Sequence, residues 1–185
     1  MQAHSGHGGP AGARAAAGAG CGGDALACGR GSDVMSNTYK GGPNTMRIGP
    51  YEFPDDLYYD REHNWARVEG DQLVQGFTAF GQAIAGEILY VEPPRPGRVV
   101  RQGEAIMSVE SGKWVGRVRA LAGGRIEEGN ATLEAEPSLI NRDPYGRGWM
   151  ARLTISNTAE LDNLLRASDP AFAAFMAEER AKYNK

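Results

Sequence analysis

One lysine stands between two β-prone stretches, in the segment Val109-Glu110-Ser111-Gly112-Lys113-Trp114-Val115. Gly112 can supply a positive φ, so the segment predicts a tight turn with Lys113 at or beside the tip of a β-hairpin. An amine held there projects into solvent from a rigid support, which is the geometry that a modifying enzyme needs for acylation. Lys40 and Lys182 are the nearest lysines along the chain, so none between them competes. The alternative is a solvated lysine without a specific role.

The other reactive side chains form no recognisable catalytic or metal site. Cys21 and Cys28 are the two cysteines, and with His4 and His7 they offer the ligand types of a zinc site. Their spacing matches no close ligand pair, so we interpret them as free thiols in a glycine-rich tail. His63 is the remaining histidine, and no nucleophile–base pair has a readable spacing. The sequence therefore predicts no catalytic residue and no metal.

Composition narrows the class of protein. A formal net charge of −3 offers no basic surface for nucleic acid. No apolar run is long enough to span a bilayer, and the first residues lack the apolar core of a secretory signal. The two cysteines lie in the N-terminal segment, which excludes a disulfide framework for the fold. We therefore expect a soluble, cytoplasmic protein without nucleic-acid or membrane partners.

Short β-prone segments, separated by turns rich in glycine and proline, dominate most of the chain. Residues 1–45 are rich in glycine and alanine and poor in large apolar side chains, so we predict a disordered tail there and one domain over residues 46–185. The predicted strands are 64–69, 73–77, 86–91, 98–101, 105–110, 115–120 and 125–128. Strands at this spacing indicate a small, mainly β sandwich or barrel of antiparallel strands.

Two helices are predicted to close the domain. Asn157 can cap the first helix, with Glu160 completing a capping box. Ser168-Asp169-Pro170 has the composition of a second helix start. The apolar faces of the two helices would consist of Leu161, Leu164 and Leu165 in the first, and of Phe172, Phe175 and Met176 in the second. Earlier in the chain, residues 77–84 favour at most one short helical turn.

Several motifs around the predicted hairpin occur together in one known family. They are Tyr59-Asp60-Arg61-Glu62-His63-Asn64-Trp65, Gly76-Phe77-Thr78, Gly86-Glu87-Ile88-Leu89-Tyr90-Val91, Glu110-Ser111-Gly112-Lys113, Gly124-Arg125-Ile126 and Leu139-Ile140-Asn141-Arg142-Asp143-Pro144-Tyr145-Gly146-Arg147-Gly148-Trp149. Over roughly residues 57–167 the chain resembles the glycine cleavage H proteins, which are lipoyl carriers with a hammerhead-type β fold. The last motif is highly specific when it follows such a turn at this distance.

The resemblance implies that lipoate is attached to Lys113 through an amide and that the chain is a carrier rather than an enzyme. Glu110, Ser111 and Gly112 would belong to the turn that a lipoate-attaching enzyme recognises. The implied partners are glycine decarboxylase, aminomethyltransferase and dihydrolipoamide dehydrogenase, and the cargo would be an aminomethyl group. A tethered arm raises the effective concentration of its cargo at each partner.

Four positions depart from the family pattern. Gly112 and Trp114 replace the residues that usually flank the modified lysine. Asn64 stands where the family has Glu, and Phe80 where it has His; in H proteins those polar side chains help to line the pocket that shelters an aminomethylated arm. Neutral Asn64 cannot form an ion pair with a cationic amine, and Phe80 cannot hydrogen-bond to one.

These departures leave two alternatives open. Some sulfur-oxidising bacteria have an H-protein-like lipoate-binding protein that serves a heterodisulfide-reductase-like complex, and its arm needs no aminomethyl pocket. Alternatively, the chain is a β binding module in which Lys113 stays unmodified.

Overall fold

The structure, a computed structural model, describes residues 44–184 of the chain. Within this range twelve β-strands form three antiparallel sheets. The strands are β1 Thr45–Ile48, β2 Tyr51–Pro54, β3 Tyr58–Tyr59, β4 Asn64–Glu69, β5 Gln72–Phe77, β6 Ile88–Glu92, β7 Val99–Val100, β8 Ala105–Ser111, β9 Val115–Arg119, β10 Gly124–Gly129, β11 Ala151–Ile155 and β12 Leu165–Arg166. The predicted disordered tail lies outside the described residues except at its end, where Thr45 belongs to β1.

Four α-helices and one 3-10 helix complete the described part of the chain. They are α1 Ala79–Ala85, α2 Thr132–Ala135, α3 Leu139–Arg142, the 3-10 helix Thr158–Asn163 and α4 Pro170–Tyr183. The Thr78 hydroxyl caps α1 by accepting the Gly81 N–H at 2.9 Å. Across residues 44–184, no helix combines the length and the apolar character that a membrane crossing requires.

Two of the three sheets are larger than a hairpin, and the smaller of these two contains the predicted hairpin, which is formed by β8 and β9. One sheet has the strand order β12-β3-β4-β5-β11-β10-β7, and the other has the order β6-β8-β9. β1 and β2 form a separate hairpin. The prediction of a mainly β fold of short antiparallel strands with a C-terminal helix is confirmed. Each predicted strand is present, with small shifts at its ends.

Five strands were missed by the sequence analysis, for different reasons. β3 and β12 have two residues each, which is too short for a periodic signal. β1 and β2 lie at the junction with the glycine-rich tail, where composition suggested no fixed structure. β11 is different, because buried Ala151, Leu153 and Ile155 alternate with more exposed residues in a pattern that the sequence does carry.

The helix predicted at Asn157 is wrong beyond its first turn. Asn157 does cap the segment through its side chain, but the segment is a 3-10 helix. Glu160 does not complete a capping box, since its carboxylate accepts the Gly123 N–H at 2.5 Å and joins this segment to the start of β10. Leu165 then pairs with β3 as part of β12. Long-range partners therefore override the local helical pattern.

Apolar side chains pack into two clusters. The larger one includes buried residues of both large sheets, among them Ile88, Val109, Val118, Ile126 and Leu153. The smaller one, termed the second core, consists of Phe53, Leu57, Tyr59, Trp65, Val74, Phe80, Ala167, Phe172, Phe175 and Met176. The second core joins the β1–β2 hairpin and α4 to the seven-stranded sheet, termed the central sheet. The predicted buried face of α4 is confirmed.

Candidate functional site

Lys113 lies in the turn between β8 and β9, and its side chain is exposed. The turn is closed by a main-chain hydrogen bond from the Ser111 N–H to the Trp114 carbonyl, 2.8 Å long. Two residues, Gly112 and Lys113, therefore stand between the bonded pair. This geometry places the lysine at the tip of the hairpin, on a sheet whose strands fix its position.

The Ser111 hydroxyl holds the turn in place. Its oxygen accepts the Trp114 N–H at 3.1 Å and the Lys113 N–H at 3.3 Å. The same hydroxyl donates to the Ala85 carbonyl, 2.6 Å away at the end of α1. Gly112 does not use the positive φ that glycine allows, because its φ lies outside the left-handed region. A serine side chain that bonds to nearby main-chain groups closes this turn instead.

A cleft with a volume of about 520 Å³ opens beside Lys113. Its walls are formed by the turn before β4, by α1, by the Lys113 turn and by the last turns of α4. The aliphatic stem of Lys113 lies near Gly86, since a Cβ added to Gly86 would be 3.9 Å from Lys113 Cδ. The φ of Gly86 is +89°, a conformation that favours glycine, so the chain leaves α1 without a side chain at this point.

His63 and Glu179 form a hydrogen-bonded pair in the wall of the cleft. His63 Nε2 and Glu179 Oε2 are 2.9 Å apart, and the side chains are 8% and 16% exposed. Burial lowers the pKa of His63, so its imidazole is neutral near pH 7 and Nε2 donates to the carboxylate. Burial acts to raise the pKa of Glu179, but hydrogen bonds from His63 and Lys182 outweigh it and lower that pKa. The pair therefore carries one net negative charge.

Asn64 contributes a buried acceptor to the same cleft. The residue is 1% exposed, and its Nδ2 donates to Asp60 Oδ2 at 2.8 Å. Burial raises the pKa of Asp60 to about 6, against hydrogen bonds from Asn64 that lower it. Within the described residues, Asn64 Oδ1 has no hydrogen-bond partner. A buried acceptor without a donor costs about 1–3 kcal/mol, so this oxygen is an energetic cost in the wall of the cleft.

Phe80 lies behind the cleft rather than in its lining. It is fully buried in the second core. Its ring makes edge-to-face contacts with Tyr51 of β2, at 5.2 Å between centroids, and with His63, at 4.9 Å. Phe80 is therefore part of a packing arrangement that includes the β1–β2 hairpin.

Trp114 borders the cleft beside the lysine. Its indole lies over Gly116, where an added Cβ would be 1.6 Å from the ring. The residue is 41% exposed, and its ring centroid is 6.3 Å from that of Phe77. A larger side chain at position 116 would therefore displace the indole from the edge of the cleft.

The structure brings the predicted turn residues together and adds a wall that the sequence did not predict. Glu110, Ser111 and Gly112 precede Lys113 at the end of β8, as expected from the spacing. Glu179 was missed, together with the rest of the α4 contribution. The available signal was helical spacing, because Glu179 follows Phe175 by one turn and so shares the buried face of α4.

The metal ligands considered in the N-terminal tail, His4, His7, Cys21 and Cys28, lie outside the described residues. Across residues 44–184, no group of three or more His, Cys, Asp or Glu side chains is arranged to hold a metal ion.

Comparisons with known proteins agree with this arrangement. The glycine cleavage H-protein family model matches residues 57–178. A glycine cleavage system H protein of Symbiobacterium thermophilum is 47% identical over 125 residues, which are 68% of this chain and 96% of that protein. Another, from Thermus thermophilus, is 44% identical over 116 residues, which are 63% of this chain and 91% of that protein.

Among solved structures, the crystal structure of a glycine cleavage system H protein from Mycobacterium marinum matches with a TM-score of 0.57 and 28% identity. The match covers 69% of this chain and 98% of that protein. The family model stops one residue before Glu179 and begins after the β1–β2 hairpin. The far wall of the cleft and part of the second core therefore lie outside the matched region.

Proposed function

The chain belongs to the glycine cleavage H-protein family, and from this premise we propose that it is a non-catalytic carrier with a lipoyl arm on Lys113. Its cargo is an aminomethyl group that passes between partner enzymes. One observation carries the proposal: an exposed lysine is fixed by Ser111 at a hairpin tip, directly beside a cleft. A modifying enzyme needs the first feature, and a carrier that shelters its cargo needs the second.

The residues around Lys113 fit a lipoyl group. Acylation of Nζ removes the lysine charge, and the amine is exposed to the enzyme that must reach it. Gly86 leaves room for the lysine stem at the end of α1, and the cleft beside the lysine has a volume of about 520 Å³. When bound, lipoate supplies two sulfur atoms that accept electrons or the cargo.

The proposed partners are those of glycine cleavage together with a lipoate-attaching enzyme. The attaching enzyme would recognise the turn formed by Glu110, Ser111 and Gly112. Glycine decarboxylase would load the carrier, aminomethyltransferase would unload it, and dihydrolipoamide dehydrogenase would reoxidise it. Each of these enzymes must reach the same hairpin tip, so they would bind in turn.

Ser111→Ala is expected to slow lipoylation about tenfold, because it removes the hydroxyl that fixes the Lys113 and Trp114 amides and joins the turn to α1. The measurement is the initial rate of lipoyl incorporation by a purified lipoate-attaching enzyme, followed by intact mass. Ser108→Ala is the matched control, since Ser108 lies on the same strand but away from the turn. Equal rates for all three proteins would show that the serine does not position the lysine.

A second candidate cargo is a sulfur intermediate for a heterodisulfide-reductase-like complex. The observation that favours it is the basic character of the cleft entrance, where Arg61, Arg117 and Lys182 lie and could attract an anionic sulfur species. The absence of a carboxylate at Asn64 points in the same direction. This candidate keeps the arm on Lys113 and changes only what the arm carries.

The experiment that tests the function begins with intact mass after growth with and without lipoate. An increment of one lipoyl group supports the carrier, whereas its absence under lipoate-replete conditions would favour an unmodified binding module. The lipoylated protein is then added to glycine decarboxylase, and exchange of labelled bicarbonate into glycine is measured. Exchange supports the aminomethyl cargo. Failure of exchange, with normal lipoylation and an active decarboxylase, would favour the sulfur cargo.

A further inference from the structure

We propose that Glu179, near the end of α4, determines the charge of the cargo that this cleft accepts. In this arrangement its carboxylate receives a protonated amine at the end of the arm. The inference rests on the proposed attachment of the arm to Lys113, and it adds a specificity-determining residue that lies one position past the residues matched by the family model.

Glu179 is the less exposed of the two carboxylates that line the cleft. Glu62 also lines it, but its side chain is 59% exposed and its carboxylate lies 3.7 Å from Arg119 at the surface. The Glu179 side chain is 16% exposed. A charge–charge interaction is screened much less at the more buried site, so Glu179 should dominate the selection of a charged group.

The position of the Glu179 carboxylate is fixed before any ligand arrives. His63 donates to Oε2, and the His63 ring is stacked on Phe175, with 5.4 Å between centroids. Phe80 contacts the same imidazole ring edge to face. Because a neutral imidazole does not cancel the charge of the carboxylate, the pair presents a preorganised anion.

The other oxygen of Glu179 makes an exchangeable contact. Lys182 Nζ lies 3.3 Å from Oε1, and the Lys182 side chain is 61% exposed. Exposed ion pairs at this spacing on a helix contribute little to stability. A substrate ammonium could therefore replace the Lys182 ammonium at this oxygen.

The basic residues at the cleft do not reverse this preference. Arg61 and Arg117 are exposed, and the Arg61 guanidinium lies over the ring of Phe175, 5.4 Å from the ring centroid. Their charges face solvent and are screened by salt. An anion taken deeper into the cleft would meet the partly buried Glu179 carboxylate, and this repulsion between like charges is unfavourable.

The test measures the pKa of the cargo amine in full-length lipoylated protein. Glycine decarboxylase loads the protein from glycine labelled with carbon-13 at its methylene, and NMR follows the labelled carbon as the pH changes. We expect the amine pKa in Glu179→Gln to be lower than in the wild type by about 1, because the carboxylate stabilises the ammonium form. Lys182→Gln should raise the amine pKa above the wild-type value, because it removes the competing cation.

Glu178→Gln is the matched control, since it removes the same charge from an exposed neighbouring residue that does not line the cleft. Equal amine pKa values in wild type and Glu179→Gln would overturn the inference while leaving the carrier function intact. If Glu179→Gln does not fold, Lys182→Gln becomes the decisive variant. A cargo amine pKa in Lys182→Gln equal to that in the wild type would then overturn the inference. A lipoylated wild type that takes up no labelled cargo would refute the aminomethyl function, and the inference with it.

Discussion

Lys113→Arg is expected to abolish lipoyl incorporation, and with it every transfer reaction that depends on the arm, without disturbing the fold. Arginine keeps a positive charge at the hairpin tip, but a guanidinium is not deprotonated in proteins and offers no nucleophilic amine. Because Lys113 is exposed, the free energy of unfolding should change by no more than about 0.5 kcal/mol. Intact mass after growth with lipoate measures the first effect, and denaturant unfolding measures the second.

Lys182→Arg is the matched control for this loss. Lys182 also lines the cleft and also carries an exposed amine, yet its substitution should leave the lipoyl increment complete. Peptide mapping is needed in the wild type, because Lys40 and Lys185 are further possible acceptors. A full increment retained in Lys113→Arg would contradict the assignment, and its location by mapping would show which lysine carries the arm.

The Lys113 turn could be predicted from sequence because its determinants are local. Two β-prone stretches flank it, and four successive residues from Glu110 to Lys113 contain both the turn and the acceptor. The mechanism of closure was less predictable. Gly112 suggested a left-handed residue, whereas the Ser111 hydroxyl closes the turn by bonding to amides two and three residues later and to Ala85.

The opposite wall of the cleft could not be placed from sequence, because its contacts are long-range. His63 and Glu179 are 116 positions apart, and only the packing of α4 against the central sheet brings them together. Amphipathic spacing predicted α4 and its buried aromatics correctly. It did not show which part of the domain that buried face would meet.

Position 80 shows how a substitution can be misjudged without its neighbours. The sequence presents Phe80 as the loss of a polar group from the arm pocket. The structure shows an aromatic residue that packs against Tyr51, on a hairpin that precedes the region shared with the family. Phe80 is therefore a packing residue, and the chemistry of the cleft must be judged from residues that line it, such as Asn64 and Glu179.

Phe80→His, which restores the usual family residue, is expected to destabilise the protein by about 3 kcal/mol. Phe80 is 0% exposed, with rings of Tyr51 and His63 about its edge. The new imidazole would leave part of the phenyl volume empty and would bury nitrogen atoms among apolar neighbours. Urea unfolding near pH 7.5, monitored by tryptophan fluorescence, gives the change in free energy of unfolding.

The pH dependence of the free energy of unfolding distinguishes the effect of the titratable imidazole from the effect of its smaller volume. A histidine buried in the second core would have a lowered pKa when folded, whereas the unfolded chain binds the proton near pH 6.5. Stability should therefore fall further below the wild type as pH decreases through that value, since the unfolded state then binds more protons. Phe80→Leu is the matched control, because it loses packing without adding a titratable group. The difference between its free energy of unfolding and that of the wild type should stay constant with pH. A Phe80→His protein as stable as the wild type across this range would mean that the new side chain escapes the second core, and the packing explanation for position 80 would then be wrong.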